Sequence, residues 1–508
     1  MPIAAKGFRT EVQEILDVLG AAPERETLVH QGRRITAGEL RDLVYRLAWA
    51  LRVEGLRRGD TVTLLSGNLP QTLAVRYAAS LLGCRVSHLY NNLPSAAQAE
   101  AVRDGKTRVL IVDPRCTEQA KSIAERVRLE TVLTLGPAPI GADLLEMAAD
   151  YPAVSVPSQA QPQDVRTISY SRGRRVQGVC HTYEQIRQFG PWMPTESQGA
   201  PRLLVCTTLA HTAGPLADSI LRVGGCVVLM EGFDAVAVLD VIEREVITDL
   251  FLPPSLLYQL MGHPQAKRAD TSHLRRLLYG GCPASPARIA DALRQFGPVL
   301  VQLYGQREAG IISVLDTDSH DLHRSERLRS AGQALPGVEV TIRDASGRDL
   351  PAGERGEICV RSTGLMQGYW QQPELTAEVL RDGWLRTGDL GCLDSEGYLT
   401  VVGRSDVIAT GAGPVLRCDV ENLLTCHPRI QESAVFGVRD AHGSELVHAA
   451  VVPLADSGID ENELRAMVRE RLGVSHEPTR IEFRDILPLT DAGTADRELL
   501  RLQSEELG

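Results

Sequence analysis

Thr36-Ala-Gly-Glu-Leu-Arg-Asp-Leu-Val-Tyr-Arg-Leu-Ala-Trp-Ala-Leu-Arg-Val-Glu-Gly55, followed by Arg58-Gly-Asp-Thr-Val-Thr-Leu-Leu65, decides the fold class. Thr36 and Glu39 have the spacing of a capping box, in which the two side chains satisfy orphan amides at a helix start. Leu40, Leu43, Val44, Leu47 and Leu51 then recur at helical spacing and define one apolar face. Gly55 offers a stop, and the run 62–65 reads as a buried strand. Further strand candidates at 109–112 and 132–135 come after new helical patterns. Helices alternating with short apolar strands predict an α/β fold of parallel sheets covered by helices.

The alternation resumes beyond residue 200, with strand candidates at 203–206, 226–230 and 249–252. Between the two series, residues 136–164 are rich in Pro, Ala, Ser and Gln and read as a surface connection. From about 337 to 403 the texture changes to short β runs (338–342, 357–361 and 398–402) separated by glycines, which predicts a β-rich subdomain. The last hundred residues mix strand-like runs at 433–438 and 448–452 with a helix capped by Asp460. That helix carries Leu464, Met467, Val468 and Leu472 on one face and ends at Gly473. The expected division is a large N-terminal domain (1–403), a connection at 404–406 and a small α+β C-terminal domain (407–508).

Composition narrows the function classes. The chain has 508 residues, too many for one compact core. Its formal net charge of −11 argues against a nucleic-acid surface, which would show a basic stripe. No signal-peptide pattern is read at the N-terminus, and no apolar stretch approaches the ~20 residues needed to span a bilayer. The ten cysteines contain no C-x-x-C pair, so they read as the thiols of a cytoplasmic protein without membrane or nucleic-acid partners. The only lysines are Lys6, Lys106, Lys121 and Lys267.

Several segments together resemble the adenylate-forming superfamily of acyl-CoA synthetases, luciferases and peptide-synthetase adenylation domains. Leu303-Tyr-Gly-Gln-Arg-Glu308 is similar to Y-G-x-T-E, and Gly383-Trp-Leu-Arg-Thr-Gly-Asp389 matches G-W-x-x-T-G-D. Gly403-Arg-Ser-Asp406 resembles the hinge motif G-R-x-D/K, and Gly280-Gly281-Cys282 fits a neighbouring motif. Each segment alone reads as a turn; their order and spacing carry the resemblance. It implies two half-reactions: a carboxylate attacks the α-phosphate of ATP, and a thiol then displaces AMP after the C-terminal domain swings about the hinge.

The resemblance also implies which positions serve which step. For the adenylate, Asp389 would accept the ribose hydroxyls and Tyr304-Gly305 would stack on adenine. Gly281, Cys282 and Pro283 would run along the adenine edge, and Arg404 would reach ribose or phosphate. Glu308 would help to hold Mg²⁺, which thioester formation does not require. For the thiol step, Asp406 would be the hinge, Gly411 would line the pantetheine tunnel, and His211 in His-Thr-Ala-Gly214 would act near the tunnel mouth.

Positions for the first half-reaction depart from the pattern. Tyr170-Ser-Arg-Gly-Arg-Arg-Val-Gln-Gly-Val179 is two residues shorter than Y-T-S-G-T-T-G-x-P-K-G-V and has Gln177 in place of its lysine. Arg172, Arg174 and Arg175 read as a solvated basic loop. Arg307 stands where the family has Thr. Leu487-Pro-Leu-Thr-Asp-Ala-Gly-Thr494-Ala-Asp-Arg497 follows L-P-x-T-x-x-G-K-x-x-R with Thr494 at the lysine. Losing one preorganised donor to a transition state costs about 10²–10³ in rate.

The expectation is therefore an acyl-CoA ligase-type enzyme that runs acyl-AMP + CoA to acyl-CoA + AMP, supplied with acyl-AMP by a separate adenylating ligase. This arrangement resembles the non-adenylating acyl-CoA ligases of platensimycin-type diterpenoid biosynthesis, which implies a bulky terpenoid acid. A complete ATP-dependent ligase and a catalytically silent acyl-adenylate-binding protein stay open, as does a carrier-protein thiol in place of CoA.

Overall fold

Thr36 behaves as the capping box requires: its hydroxyl accepts from the Glu39 amide at 3.2 Å, and the Glu39 carboxylate accepts from the Thr36 amide at 2.7 Å. The helix that follows, Ala37–Val53, buries Leu40, Val44, Leu47 and Leu51. The computed structural model describes residues 8–170, 177–188, 199–324, 326–404, 407–440, 443–454, 457–490 and 493–506. It has the expected α/β class, with parallel sheets and helices alternating along the chain.

Contacts group the chain into two compact units. The first comprises Met1–Phe251, Arg307–Gly310 and Ser362–Gly383. Its larger sheet runs in the order Gly368–Tyr369, Gly178–Thr182, Val165–Tyr170, Arg85–His88, Thr61–Leu65, Thr107–Val112, Thr131–Thr134, Ala142–Asp143. From Val165–Tyr170 onward every neighbouring pair is parallel. Thr61–Leu65 is buried at every position, and its Thr63 hydroxyl is met by that of Thr107 at 2.6 Å. Four further strands pair in the order Arg33–Thr36, Glu26–His30, Cys226–Leu229, Arg202–Val205, and Arg202–Val205 also pairs with Asp249 and Leu250.

Residues 136–164 are more than a surface connection. Ala142–Asp143 extends the sheet, and helix Leu144–Ala149 buries Leu144 and Ala148. Asp143 caps this helix by accepting from the Leu145 amide at 2.9 Å. A two-residue strand and a six-residue helix are too short to show periodicity, so composition alone could not reveal them.

The second unit comprises Leu252–Gln306, Ile311–Arg361 and Trp384–Gly508. Strand Arg276–Gly280 lies parallel to Leu300–Gln306, with Gly280 opposite Leu303. The expected β-rich region appears as an antiparallel sheet of Glu339–Arg343, Gly356–Arg361, Trp384–Leu393 and Leu399–Arg404, while 362–383 belongs to the first unit. Near the C-terminus, Ile430–Arg439, Glu445–Pro453 and Arg480–Phe483 form a three-stranded sheet. Alternation along it feeds two cores. Val435, Val447, Ala449 and Val451 pack with Leu464 and Val468, and Ala434, Phe436, Val438 and Ala450 pack with Leu487 and Leu500. Asp460 caps Glu461–Leu472 as expected, and Gly473 ends it at φ +94°. Ser405 and Asp406 lie outside the described residues.

Gly280 shows how tightly the strands approach at the second unit's site. A Cβ there would stand 2.2 Å from the Leu303 carbonyl oxygen, so backbone would have to move. Gly280→Ala is expected to destabilise the fold by about 1–3 kcal/mol, the usual cost of overpacking. Thermal melting checks this, and an unchanged midpoint would contradict it.

Candidate active site

In the second unit the chemistry gathers around Asp389, which is only 7% exposed. Register places it opposite Arg404 on the neighbouring strand, and Arg404 Nε lies 3.1 Å from Asp389 Oδ1. The Tyr304 hydroxyl donates to Oδ2 at 2.7 Å. Burial, and then the Asp389 charge, push the Tyr304 phenol well above its ordinary pKa, so it remains a donor. Arg404 also donates to the Thr387 carbonyl at 2.8 Å, and Thr387 Oγ1 accepts from the Asp389 amide at 3.0 Å. The structure thus joins Tyr304, Asp389 and Arg404 into one network. Ribose hydroxyls reaching Asp389 would compete with Tyr304 and Arg404 for its oxygens.

Gly281 continues from the strand beside Tyr304, in the left-handed region at φ +89°. A Cβ on Gly281 would meet the Thr494 methyl at 3.9 Å, which brings the two positions together. Thr494 sits on a tight turn: its hydroxyl is 3.0 Å from that of Thr490, and the Thr490 amide donates to the Thr494 carbonyl at 2.8 Å. Next to it, Gly493 packs so closely that a Cβ would stand 2.8 Å from Pro253 Cγ. The turn therefore brings a short, internally bonded side chain, and no ammonium, to the edge of the Gly281 bend.

Cys282 and Pro283 line a small cavity with Tyr258, Glu432 and Arg497. Burial and the nearby Glu432 push the Cys282 thiol up, so it stays protonated. Sequence reasoning missed the groups that hold this region. Ser255 hydrogen-bonds Glu432, and Arg497 pairs with Glu421, its Nε 3.1 Å from Oε2. Arg497 was visible as the last residue of the Leu487 motif; Glu432 sits in an ordinary strand pattern and gave no signal.

The first unit holds the remaining predicted positions. His211 Nδ1 is 3.0 Å from Thr212 Oγ1, and its ring centroid is 6.4 Å from that of Tyr90. Burial, and then the charge of Arg307, hold the imidazole down to about 3, so it is neutral at physiological pH. The loop is pinned by Asn68, whose amide donates to the Thr207 and Met230 carbonyls at 2.9 and 2.8 Å. Glu308 accepts from the Tyr369 hydroxyl at 3.1 Å. No group of three or more metal-ligating side chains occurs among the described residues. Glu308 offers one carboxylate at this place.

Two positions stand apart from these clusters. Gly411 lies in the turn between Val407–Thr410 and Gly413–Leu416, and a Cβ there would meet only Ser444 Oγ, at 3.8 Å. Gln177 leads into strand Gly178–Thr182. Asp406 and the arginines at 172, 174 and 175 lie outside the described residues.

This fold and this constellation define an adenylate-forming enzyme of the acyl-CoA ligase type. The AMP-binding enzyme family matches residues 17–370, and the AMP-binding enzyme C-terminal domain matches 419–494, so the chain belongs to that family. It is 34% identical to the medium/long-chain-fatty-acid–CoA ligase FadD8 of Mycobacterium tuberculosis, over 92% of this chain and 85% of that protein. A feruloyl-CoA synthase of Amycolatopsis sp is 35% identical over 93% and 94%. Among solved structures, the amide bond synthetase McbA from Marinactinospora thermotolerans matches with a TM-score of 0.86 and 38% identity, covering 97% and 99%. No described helix is long and apolar enough to cross a membrane, and all ten cysteines are free.

Glu432 generates a pH prediction. Burial pushes its carboxyl up to about 7, against the opposing pulls of Ser255 and Arg497. The folded state therefore holds a proton that the unfolded chain releases near 4.5, so this stabilising contribution is lost as pH rises through 7. Glu432→Gln should melt higher than the wild type at pH 8 and show no such advantage at pH 5. Equal differences at both values would refute the assignment.

Proposed function

We propose that this chain binds an acyl-adenylate and transfers its acyl group to the thiol of CoA, while contributing little to making the adenylate. The thiol gives up its proton to water, its sulfur attacks the carbonyl carbon, the bond from that carbon to the phosphate oxygen breaks, and AMP leaves with the electron pair. The observation that carries this reading is Thr494. It occupies the turn beside Gly281, its hydroxyl is bonded to Thr490, and no lysine follows Lys267 in the sequence. An attacking carboxylate and an α-phosphate, both anionic, would meet there without the ammonium that offsets their repulsion. Tyr304, Asp389 and Arg404 remain for the nucleotide. In this reading Asp406 serves as hinge, Gly411 lines the thiol path, His211 acts near its mouth as a neutral imidazole, and a separate cytoplasmic ligase supplies acyl-AMP.

The relatives favour a second reading, a complete ATP-dependent acyl-CoA ligase. Their printed names describe ligases and synthases, and the match spans 92% and 93% of this chain. Arginines at 172, 174, 175 and 307 would then supply the lost charge. The name of McbA adds an amine as an acceptor to test beside CoA.

Two incubations separate the readings. Synthetic acyl-AMP with CoA should give thioester and AMP, and no thioester across fatty, aryl and terpenoid acyl groups would leave only a binding role. ATP, Mg²⁺ and the free acid should release no pyrophosphate; steady release would establish the complete ligase instead. Thr494→Lys is expected to raise pyrophosphate release by about 10²–10³, the worth of one preorganised donor. Asp389→Asn should weaken AMP binding in calorimetry, because Tyr304 and Arg404 lose the carboxylate that orients them.

A further inference from the structure

We propose that a cleft in the second unit binds a small amphipathic anion, an aliphatic chain ending in one carboxylate or phosphate. The cleft holds about 510 Å³, within the roughly 300–1,000 Å³ of small-molecule sites. Val402 of strand Leu399–Arg404, Leu423 of helix Arg417–Thr425, and Met467 and Leu472 of helix Glu461–Leu472 give it an apolar lining. All four are half-buried, and the three helical residues pack on the core of the C-terminal sheet, so the lining is held from behind. Arg329 and Arg471 stand on the same cleft, both exposed. Its walls are joined: Arg355 Nη1 lies 2.6 Å from Asp419 Oδ1, and a Cβ on Gly403 would stand 2.8 Å from that of Cys418. Tyr304, Asp389, Arg404, Gly281 and Thr494 do not line the cleft, which sets it apart from the site around Asp389.

Charge selects the ligand. Three guanidiniums face a single carboxylate, Asp419, and Arg355 is its partner. Arg329 and Arg471 form no ion pair or side-chain hydrogen bond among the described residues. His427 adds no charge, because burial and then Arg429 hold its imidazole below the ordinary value. Burial pushes the Cys426 thiol up and Arg329 pulls against it, so the Arg329 charge is felt inside the cleft. Two uncommitted guanidiniums on an apolar cleft are a local exception in a chain of net charge −11. A bare anion would leave the apolar lining wet, and an uncharged hydrocarbon would leave both guanidiniums without a partner. A ligand with both parts satisfies each surface. Its chain covers the lining, and its head group takes a forked pair of N–H bonds from a guanidinium. Carboxylate and phosphate share that head-group chemistry. Occupancy asks nothing of acyl transfer.

Photo-crosslinking of the full chain tests the assignment. A decanoate analogue with a diazirine at its chain end should label residues within 417–428 or 461–472, as read by peptide mapping. Unmodified decanoate or decyl phosphate should displace that label, the stronger competitor naming the head group. Decylamine, of opposite charge, should not displace it. Hexanoate, four methylenes shorter, should compete at least about 10-fold more weakly. Arg329→Gln and Arg471→Gln should each weaken the preferred competitor by about 10-fold, the worth of a charge-assisted bond, with wild-type melting temperatures. Three results would overturn the proposal: labelling confined to other segments, displacement by decylamine as strong as by decanoate, or unchanged affinity when both arginines are replaced by Gln. None of these readouts involves an adenylate or CoA. Failure here is therefore separate from failure of the transfer reading, which appears as no thioester from acyl-AMP.

Discussion

A carboxylate held almost out of water needs its charge met at every oxygen, and the second unit is arranged to do this at Asp389. One oxygen takes the Tyr304 hydroxyl from a strand of another sheet, and the other takes Arg404 from the antiparallel neighbour. Thr387 locks the backbone between them. Removing any partner would leave a buried charge incompletely compensated, which is among the costliest defects a fold can carry. The Asp389–Arg404 contact runs between residues that face each other in the register of their two strands.

The cations of the second unit's site are each committed to a carboxylate. Arg497 is committed to Glu421: burial pushes that carboxyl up, and Arg497 and Arg417 more than offset the effect. Arg404 is committed to Asp389. Thr494 brings no charge at all, although the turn that carries it still packs on Pro253 and Gly281. Packing at this turn needs only the small Gly493 and a compact neighbour. Arg307 is the contrasting case, a cation that donates to the Tyr90 hydroxyl and has no carboxylate partner among the described residues.

Much of the architecture was readable because it depends on local rules. The Thr36–Glu39 box, the Asp460 cap and the Gly473 stop are satisfied within a few residues of themselves, so they appear in structure as written. Unbroken apolar runs such as 109–112 announced strands covered on both faces. The 142–149 segment escaped because its elements span fewer than two periods of either pattern. Tyr90 escaped for another reason. Its partner Arg307 is more than two hundred residues away, and nothing in the Tyr-Asn-Asn-Leu-Pro stretch points there.

Residue identity in the linear chain therefore determined the α/β class, the family and the absence of lysine after position 267, since all three follow from local pattern and composition. Tertiary structure alone decided which groups meet. It set Thr494 beside Gly281, gave both oxygens of Asp389 their partners, raised Glu432 by burying it, and left Arg307 stacked on Tyr90. The physical reason is that desolvation and ion pairing depend on distances through space, which long-range packing sets and sequence spacing does not record.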